Sequence, residues 1–313
     1  MLQPVTPPKR TSDRPRTAGT ADSASDGPGR PRAVRALMPV LAAALAGLAV
    51  TAAFPPTGLW WAAPVGVAVL MGALRGRGAG AGAGLGLVFG IALFAPLLHF
   101  TAVAMGNPIG WAALTLVQAL YTTALGAAWA LVGRIPALAA DGPGAGRAAV
   151  ARAASFTVLW CGAEELRSSW PWGGFPFGRI AFAMADSPVL PFAAYGGSIG
   201  VGLLVALSGG CLAEFVAQAR RRALVPGLAA AAAAGTLLLS PLVLPVESAP
   251  QDGAVRVAAV QGNVAEDFED AFNRALEVTG NHARATEQLA ADTGRGRLDV
   301  VIWPENAADL DPR

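Results

Sequence analysis

The sequence holds one lysine, Lys9, two cysteines and two histidines among 313 residues. Cys161 and Cys211 both lie in apolar blocks without metal-ligand spacing. They leave no disulfide framework or zinc site to read and behave as small buried hydrophobes. His99 and His282 stand far apart in the chain. Neither offers a partner at ligand spacing, so neither a metal nor any other cofactor is expected, and His99 reads as a packed, hydrogen-bonded residue. Charge is also scarce. Only 14% of residues are charged and 54% are hydrophobic, against about 25% charged in a soluble domain. That pattern points to a membrane protein. The net charge of +2 gives no support for a nucleic-acid partner. The basic residues are almost all arginine, and with abundant Ala and Gly this suits a GC-rich bacterial genome.

What is present is a succession of apolar blocks. Residues 1–35 come first, rich in Pro, Ser, Thr, Asp and Arg. They have little to bury and read as a disordered tail. No short apolar stretch with a small-residue cleavage site follows, so the first apolar block reads as a retained span. Seven blocks are expected to be helices, at 36–54, 59–74, 83–105, 109–133, 148–166, 188–216 and 223–246. A spanning helix needs about 20 apolar residues, and the second block is short for that. The glycines of "GAGAGAGLGLVFG" (78–90) suit close helix packing.

Charge orients the spans. With the N-terminus in the cytoplasm, the tail keeps Lys9, Arg10, Arg14, Arg16, Arg30, Arg32 and Arg35 inside. The inner loops add Arg75 and Arg77, then Arg134, Arg147 and Arg152, then Arg220, Arg221 and Arg222. The outer loops between spans hold only Arg167 and Arg179. This is the positive-inside asymmetry, and an odd number of crossings places residues after about 247 on the outer face.

The outer loop "RSSWPWGGFPFGRIAFAMADSP" (167–188) concentrates Trp170, Trp172, Phe175, Phe177 and Phe182. These residues suit either interfacial anchoring or a re-entrant, lipid-contacting loop at a substrate entrance. Glu164 and Glu165, beside Arg167, read either as an interfacial ion pair or as supports of that loop. Glu214, near Arg220 to Arg222, reads as a surface acid.

After Pro250 the pattern changes. "AVRVAAVQGN" (254–263) reads as a strand ending in a polar turn. A helix is expected over 266–291, with Phe268, Phe272, Leu276, Thr279, Ala283, Thr286 and Ala290 on its inner face and Gly280 weakening it. "LDVVIW" (298–303) is a second strand whose continuous apolar run suits burial on both faces. A β-α-β unit implies parallel strands. Pro304 ends the ladder because it has no N–H. Glu305 then stands at the carboxyl edge of the sheet, where open α/β sheets bind ligands. Near apolar Trp303 it suits a general base, while Asp309 and Asp311 read as solvated loop acids. A solvated acid remains the alternative for Glu305 too.

Seven spans, then "VQGN", a helix and "WPE", resemble the apolipoprotein N-acyltransferase family. "GGFPFGRIAFAMADSP" (173–188) and "YGGSIGVGLLV" (195–205) resemble its membrane part, and the likeness runs over about residues 36–313. The resemblance implies a polytopic α-helical membrane domain at 36–246. From 247 it implies the start of an extracytoplasmic α/β nitrilase-like (α-β-β-α sandwich) domain. It implies transfer of an acyl chain from a phospholipid to the N-terminal amine of a diacylglyceryl-cysteine lipoprotein, in a bacterial cell membrane. The implied triad is Glu, Lys and Cys. Cys forms a thioester, Glu acts as general base and Lys stabilises the oxyanion.

Glu305 of "WPE" matches the triad Glu. After residue 250 there is no Lys and no Cys, and no later span or further strands follow. Phe268 and Phe272 stand where the family tends to place a Trp. The segment thus resembles the first quarter of an outer-face catalytic domain, as a truncated gene product, a fragment or a chain completed by a second would show, and by itself it is expected to be inactive. The competing readings are a non-catalytic docking or regulatory module, a transporter, and a membrane-tethered amide hydrolase. Ionisable residues lie near the span ends, His99 apart, which disfavours transport.

Overall fold

The computed structural model describes residues 32–139, 145–247, 253–263, 275–294, 296–305 and 307–308. All but the last residues of the expected tail lie outside that range. Helices α1 (Arg32–Ala52), α2 (Ala62–Leu74), α3 (Ala79–Leu97) and α4 (Phe100–Ala104) come first. Then follow α5 (Pro108–Val132), α6 (Pro136–Ala139), α7 (Ala145–Ser169), α8 (Ala193–Arg220) and α9 (Leu224–Leu239). Strand β1 (Val257–Ala259), helix α10 (Ala275–Thr293) and strand β2 (Val300–Ile302) complete the order.

Each of the seven apolar blocks contains a long helix, and these pack α1 on α2 and α3, α3 on α5, α2 and α7 on α8, and α8 on α9. Among the described residues four helical stretches are long and apolar enough to cross a membrane. They are Ala79–Leu97, Pro108–Val132, Leu190–Arg220 and Leu224–Val243. Helix α2 rises only about 20 Å at 1.5 Å per residue. Helix α7 is long enough but carries Arg147, Arg152, Glu164, Glu165 and Arg167. Its charges sit toward its two ends.

Glycine sets the closest contact. A Cβ on Gly86 would lie 2.1 Å from the Thr122 carbonyl oxygen, and one on Gly82 would lie 2.4 Å from that of Gly126. Helices α3 and α5 therefore meet backbone to backbone, as the glycine run implies. Around this contact Phe89, Phe156, Trp129 and Trp160 interlock, with Phe89 edge-on to Trp160 at 5.7 Å and Trp129 edge-on to Phe156 at 5.1 Å.

The third block does not continue to 105. Helix α3 stops at Leu97 because Pro96 cannot donate to the preceding turn. Outside groups take up the carbonyls there: the Thr51 hydroxyl donates to Leu93 O at 3.0 Å and the Trp111 indole to Ala95 O at 2.8 Å. His99, expected inside the span, is instead exposed in the turn before α4, edge-on to Trp111 at 5.8 Å.

In the C-terminal segment β1 and β2 pair in parallel, with Val257 opposite Val300, Ala258 opposite Val301 and Ala259 opposite Ile302. The parallel pairing is as expected, but burial of the second strand is not. Val300, Val301 and Ile302 are 43%, 40% and 50% exposed. Neighbouring residues point to opposite faces, and among the described residues a pair of strands beside one helix has no second layer to cover both. The inner face of α10 is also displaced from expectation. Ala275, Val278 and His282 are buried, with Thr279 and Thr286 on the flank, while Leu276 is 75% exposed and Ala290 is exposed. The helix turns this way because His282, not an apolar residue, packs against Trp303. Phe268 and Phe272 lie outside the described residues.

Candidate functional site

Parallel pairing brings the two singled-out segments to one edge. Strand β1 runs into Gln261-Gly262-Asn263 and β2 into Trp303-Pro304-Glu305, both at the carboxyl ends of the strands. The first turn is closed by Gln261 Oε1, which accepts from the Asn263 amide at 3.1 Å. Asn263 takes φ +61°, a left-handed conformation that asparagine tolerates.

The second segment is tied to α10. The Trp303 indole donates to Thr286 Oγ1 at 2.9 Å, the Thr279 hydroxyl donates to Ala307 O at 3.0 Å, and the Ala307 amide reaches Pro304 O at 3.3 Å. Glu305 sits in this braced turn and is exposed to solvent. The Trp303 ring is engaged with α10. Asp309 and Asp311 lie outside the described residues.

His282 is a residue that sequence reasoning passed over. It is fully buried, its ring lies 5.5 Å from that of Trp303, and its Nδ1 stands 2.8 Å from Val278 O. A carbonyl only accepts, so the Nδ1 that faces it carries a proton. Nε2 has no hydrogen-bond partner among the described residues. A Cβ on Gly262 would lie 2.3 Å from Nδ1. The glycine of "QGN" is therefore required by the close approach of this ring, which locks the two segments to one helix. The available signal was the pairing of a strand-end glycine with a histidine on the helix between the strands.

The end of the bundle that carries the aromatic loop holds a second polar constellation. Arg167, 3% exposed, donates from Nη1 to Phe177 O at 2.6 Å, Phe175 O at 2.9 Å and Gln118 Oε1 at 3.2 Å. Its guanidinium carbon stands 5.2 Å from the centre of the Phe94 ring. Glu164 Oε1 accepts from the Ile180 amide at 2.7 Å, and Glu165 pairs with Arg179. The Glu164 contact is that of the loop-supporting reading, while Glu165 forms an ion pair, with Arg179 of the loop. The loop's own turn needs glycine, since Gly174 has φ +75° and a Cβ there would lie 2.2 Å from the Ser168 backbone. The loop displays Trp172, fully exposed, beside exposed Trp170, Phe177 and Phe182. Phe175 stacks on Phe177 at 4.9 Å, and the Tyr121 hydroxyl holds the Trp170 carbonyl. Beneath lies a cavity of about 20 Å³ bordered by Phe94, Tyr121, Trp160, Glu164 and Arg167.

The opposite end corrects the reading of Glu214. It is no surface acid but 1% exposed. Arg152 grips it with both prongs, Nε to Oε1 at 2.9 Å and Nη2 to Oε2 at 2.7 Å, and Arg75 pairs with Oε1. Its partners come from α7 and the end of α2, not from the arginines that follow it in sequence. Cys161 is buried and Cys211 half-buried within α7 and α8. No group of three metal-ligating side chains occurs among the described residues.

With this geometry in view, comparison with known proteins is informative. Residues 46–211 match the model of the apolipoprotein N-acyltransferase N-terminal domain. The apolipoprotein N-acyltransferase of Mycolicibacterium smegmatis is 34% identical over 294 residues, covering 88% of this chain and 47% of that protein. The enzyme of the same name from Chromobacterium violaceum is 29% identical over 307 residues, covering 94% of this chain and 54% of the relative. That of Azotobacter vinelandii is 29% identical over 283 residues, covering 86% and 51%. The chain spans about half the length of the curated relatives it matches. The matched region takes in α2 to α7 whole, with the C-terminal third of α1, most of α8 and the braced aromatic loop. On that footing the chain belongs to the apolipoprotein N-acyltransferase family.

Proposed function

We propose that the chain serves transfer of an acyl chain from a phospholipid to the N-terminal amine of diacylglyceryl-cysteine on apolipoproteins. In this reading residues 36–246 form a membrane domain of seven crossings with a cytoplasmic N-terminus. Residues from 247 begin a nitrilase-like domain on the outer face of a bacterial cell membrane. Glu305 is the general base that takes a proton as a Cys thiol attacks the donor ester. The residues after 250 contain no Cys and no Lys, so this stretch supplies the base without the nucleophile or the oxyanion partner and does not form the acyl-enzyme by itself. The donor is phospholipid, the acceptor a diacylated lipoprotein, and both reach the site through the bilayer.

The observation that supports this best is positional. A family-matched helical bundle is followed by parallel strands that present Glu305, in a braced and exposed turn, at their carboxyl edge. Transport is a weaker reading, because His99, the ionisable residue expected away from the span ends, lies in an exposed turn. The test is topological. In Glu305→Cys the new thiol is expected to react with a membrane-impermeant maleimide on intact spheroplasts, with the parent chain as control for Cys161 and Cys211. Labelling that occurs only after lysis places the carboxylate in the cytosol and refutes the reading.

A further inference from the structure

Beneath the aromatic loop Arg167 is only half satisfied. Its Nη1 serves Phe175 O, Phe177 O and Gln118 Oε1. Its Nη2 is buried with no hydrogen-bond partner among the described residues. The indole N–H of Trp160 is buried and unpartnered in the same way. Trp160 lies seven residues earlier on α7, two helical turns along the same face. A buried donor with no acceptor carries the full cost of leaving water. Such orphans are rare in native proteins, and an ordered water is a common reason for them. Five buried side-chain atoms are in this position among the described residues, and two of them, on Arg167 and Trp160, belong to residues that border one cavity.

That cavity is the one of about 20 Å³ under the loop. Its size decides what it can take. A water needs about 10–15 Å³, whereas small-molecule sites run to about 300–1,000 Å³. A headgroup or an acyl chain does not fit, and water does.

The lining decides whether the cavity is wet. Val50, Phe89, Leu93 and Leu125 form an apolar side, and a cavity lined only by such residues stays dry. Here Arg167, Trp160 and Glu164 interrupt it. A buried water needs two to four polar partners, and this set offers both kinds. Arg167 Nη2 and the Trp160 indole donate. Glu164 accepts: its Oε1 takes the Ile180 amide at 2.7 Å, and a carboxylate has further lone pairs to offer.

We infer that this cavity binds ordered water, which accepts from Arg167 Nη2 and the Trp160 indole and donates to the Glu164 carboxylate. The brace of the aromatic loop is then partly water-mediated. Arg167 holds the loop carbonyls with Nη1 and, through water, the polar face of its own helix with Nη2. The site is separate from Glu305 and independent of the acyl-transfer reading.

The test is X-ray radiolytic footprinting of the whole chain in detergent micelles, read by mass spectrometry. Hydroxyl radicals form from water where it stands and oxidise the side chains beside it. Phe89 and Phe94 border the cavity and are 0% and 2% exposed. Phe156 is equally buried in the same aromatic cluster but is not part of the cavity wall, and serves as control. Phe89 and Phe94 are expected to be oxidised several-fold faster than Phe156, because burial without water protects a ring. In Ala163→Leu, which adds side-chain volume to the cavity wall, both rates are expected to fall to that of Phe156. If that variant does not fold, Trp160→Phe keeps a ring and removes the N–H, and a several-fold fall at Phe89 is expected. Equal oxidation of Phe89, Phe94 and Phe156 in the parent chain shows a dry cavity and overturns the inference. So do fast rates at Phe89 and Phe94 that a folded variant leaves unchanged, since the radicals then come from elsewhere.

Discussion

At one end of the bundle Arg167 directs its guanidinium to the carbonyls of Phe175 and Phe177 and to Gln118. At the other, Arg75 and Arg152 converge on Glu214, and three further arginines face a cavity. The residue types are the same and the arrangements differ. In the first, a buried charge is matched by backbone dipoles and holds a loop in place. In the second, charge is matched by charge. A bilayer tolerates ionisable groups where they are paired or reach the interface, and helix α7 holds Arg152, paired with Glu214, toward its start and buried Arg167 toward its finish. The second end is the more basic one among the described residues. The first end carries the exposed aromatics.

The largest expected effect comes from breaking charge matched by charge. Glu214→Leu leaves Arg152 and Arg75 facing each other without an anion. Removal of one partner from a buried ion pair costs about 3–5 kcal/mol, and a loss of that order is expected in reversible unfolding in mixed micelles. Adding Arg152→Leu is expected to restore much of it, because an apolar replacement of both partners is close to neutral. A loss below about 1 kcal/mol in the single variant would mean that the triad is held loosely and hydrated.

Arg167→Lys tests the other arrangement and is expected to cost less. Lysine keeps the charge, but its ammonium ends short of the place where Nη1 serves Phe175, Phe177 and Gln118, and it loses the guanidinium set over the Phe94 ring. Hydrogen bonds to charged groups contribute about 1.5–3 kcal/mol each, so a loss of about 2 kcal/mol is expected. Amide exchange should quicken at residues 175–180 while the α3–α5 contact stays protected. Uniformly faster exchange across the bundle would show that Arg167 supports the whole fold and not the loop.

The contrast between the ends also explains what was legible in the sequence. Apolar runs located a helix in each of the seven blocks, because that signal is local, although the third and seventh blocks overran their helices. Pairings over long separations were not legible. Glu214 was read against Arg220 to Arg222, its neighbours in sequence, while its partners lie 139 and 62 residues away. Glu164 and Glu165 were open to two readings because their partners, Ile180 and Arg179, are 16 and 14 residues on, across an irregular loop. The same limit displaced the inner face of α10. Apolar periodicity chose Leu276, but a buried histidine against Trp303 decided the rotation. The strand pair was legible as parallel, and its exposure was not, since burial depends on layers that two strands and one helix do not provide. Position at the carboxyl edge is what the pattern conveyed about Glu305. Its surroundings depend on Thr279, Thr286 and His282, whose roles arise only from the packing.

A conservative change at Glu164 gives the smallest effect and the finest discrimination. Its Oε1 accepts from the Ile180 amide at 2.7 Å, and its other oxygen lies against α8, where a Cβ on Gly202 would meet it at 3.5 Å. If Glu164 acts by bracing the loop, what it supplies is an acceptor, and glutamine supplies the same one. Glu164→Gln is then expected within about 0.5 kcal/mol of the parent. Glu164→Leu orphans the Ile180 N–H and is expected to cost about 1–3 kcal/mol. At Glu214 the order differs, because both neighbours are cations and glutamine removes the charge they share; Glu214→Gln should be nearly as harmful as Glu214→Leu. Measured side by side in the same micelles, a large loss in Glu164→Gln would show that this end too depends on charge matched by charge. The division between a loop-bracing end and an end of matched charges would then fail.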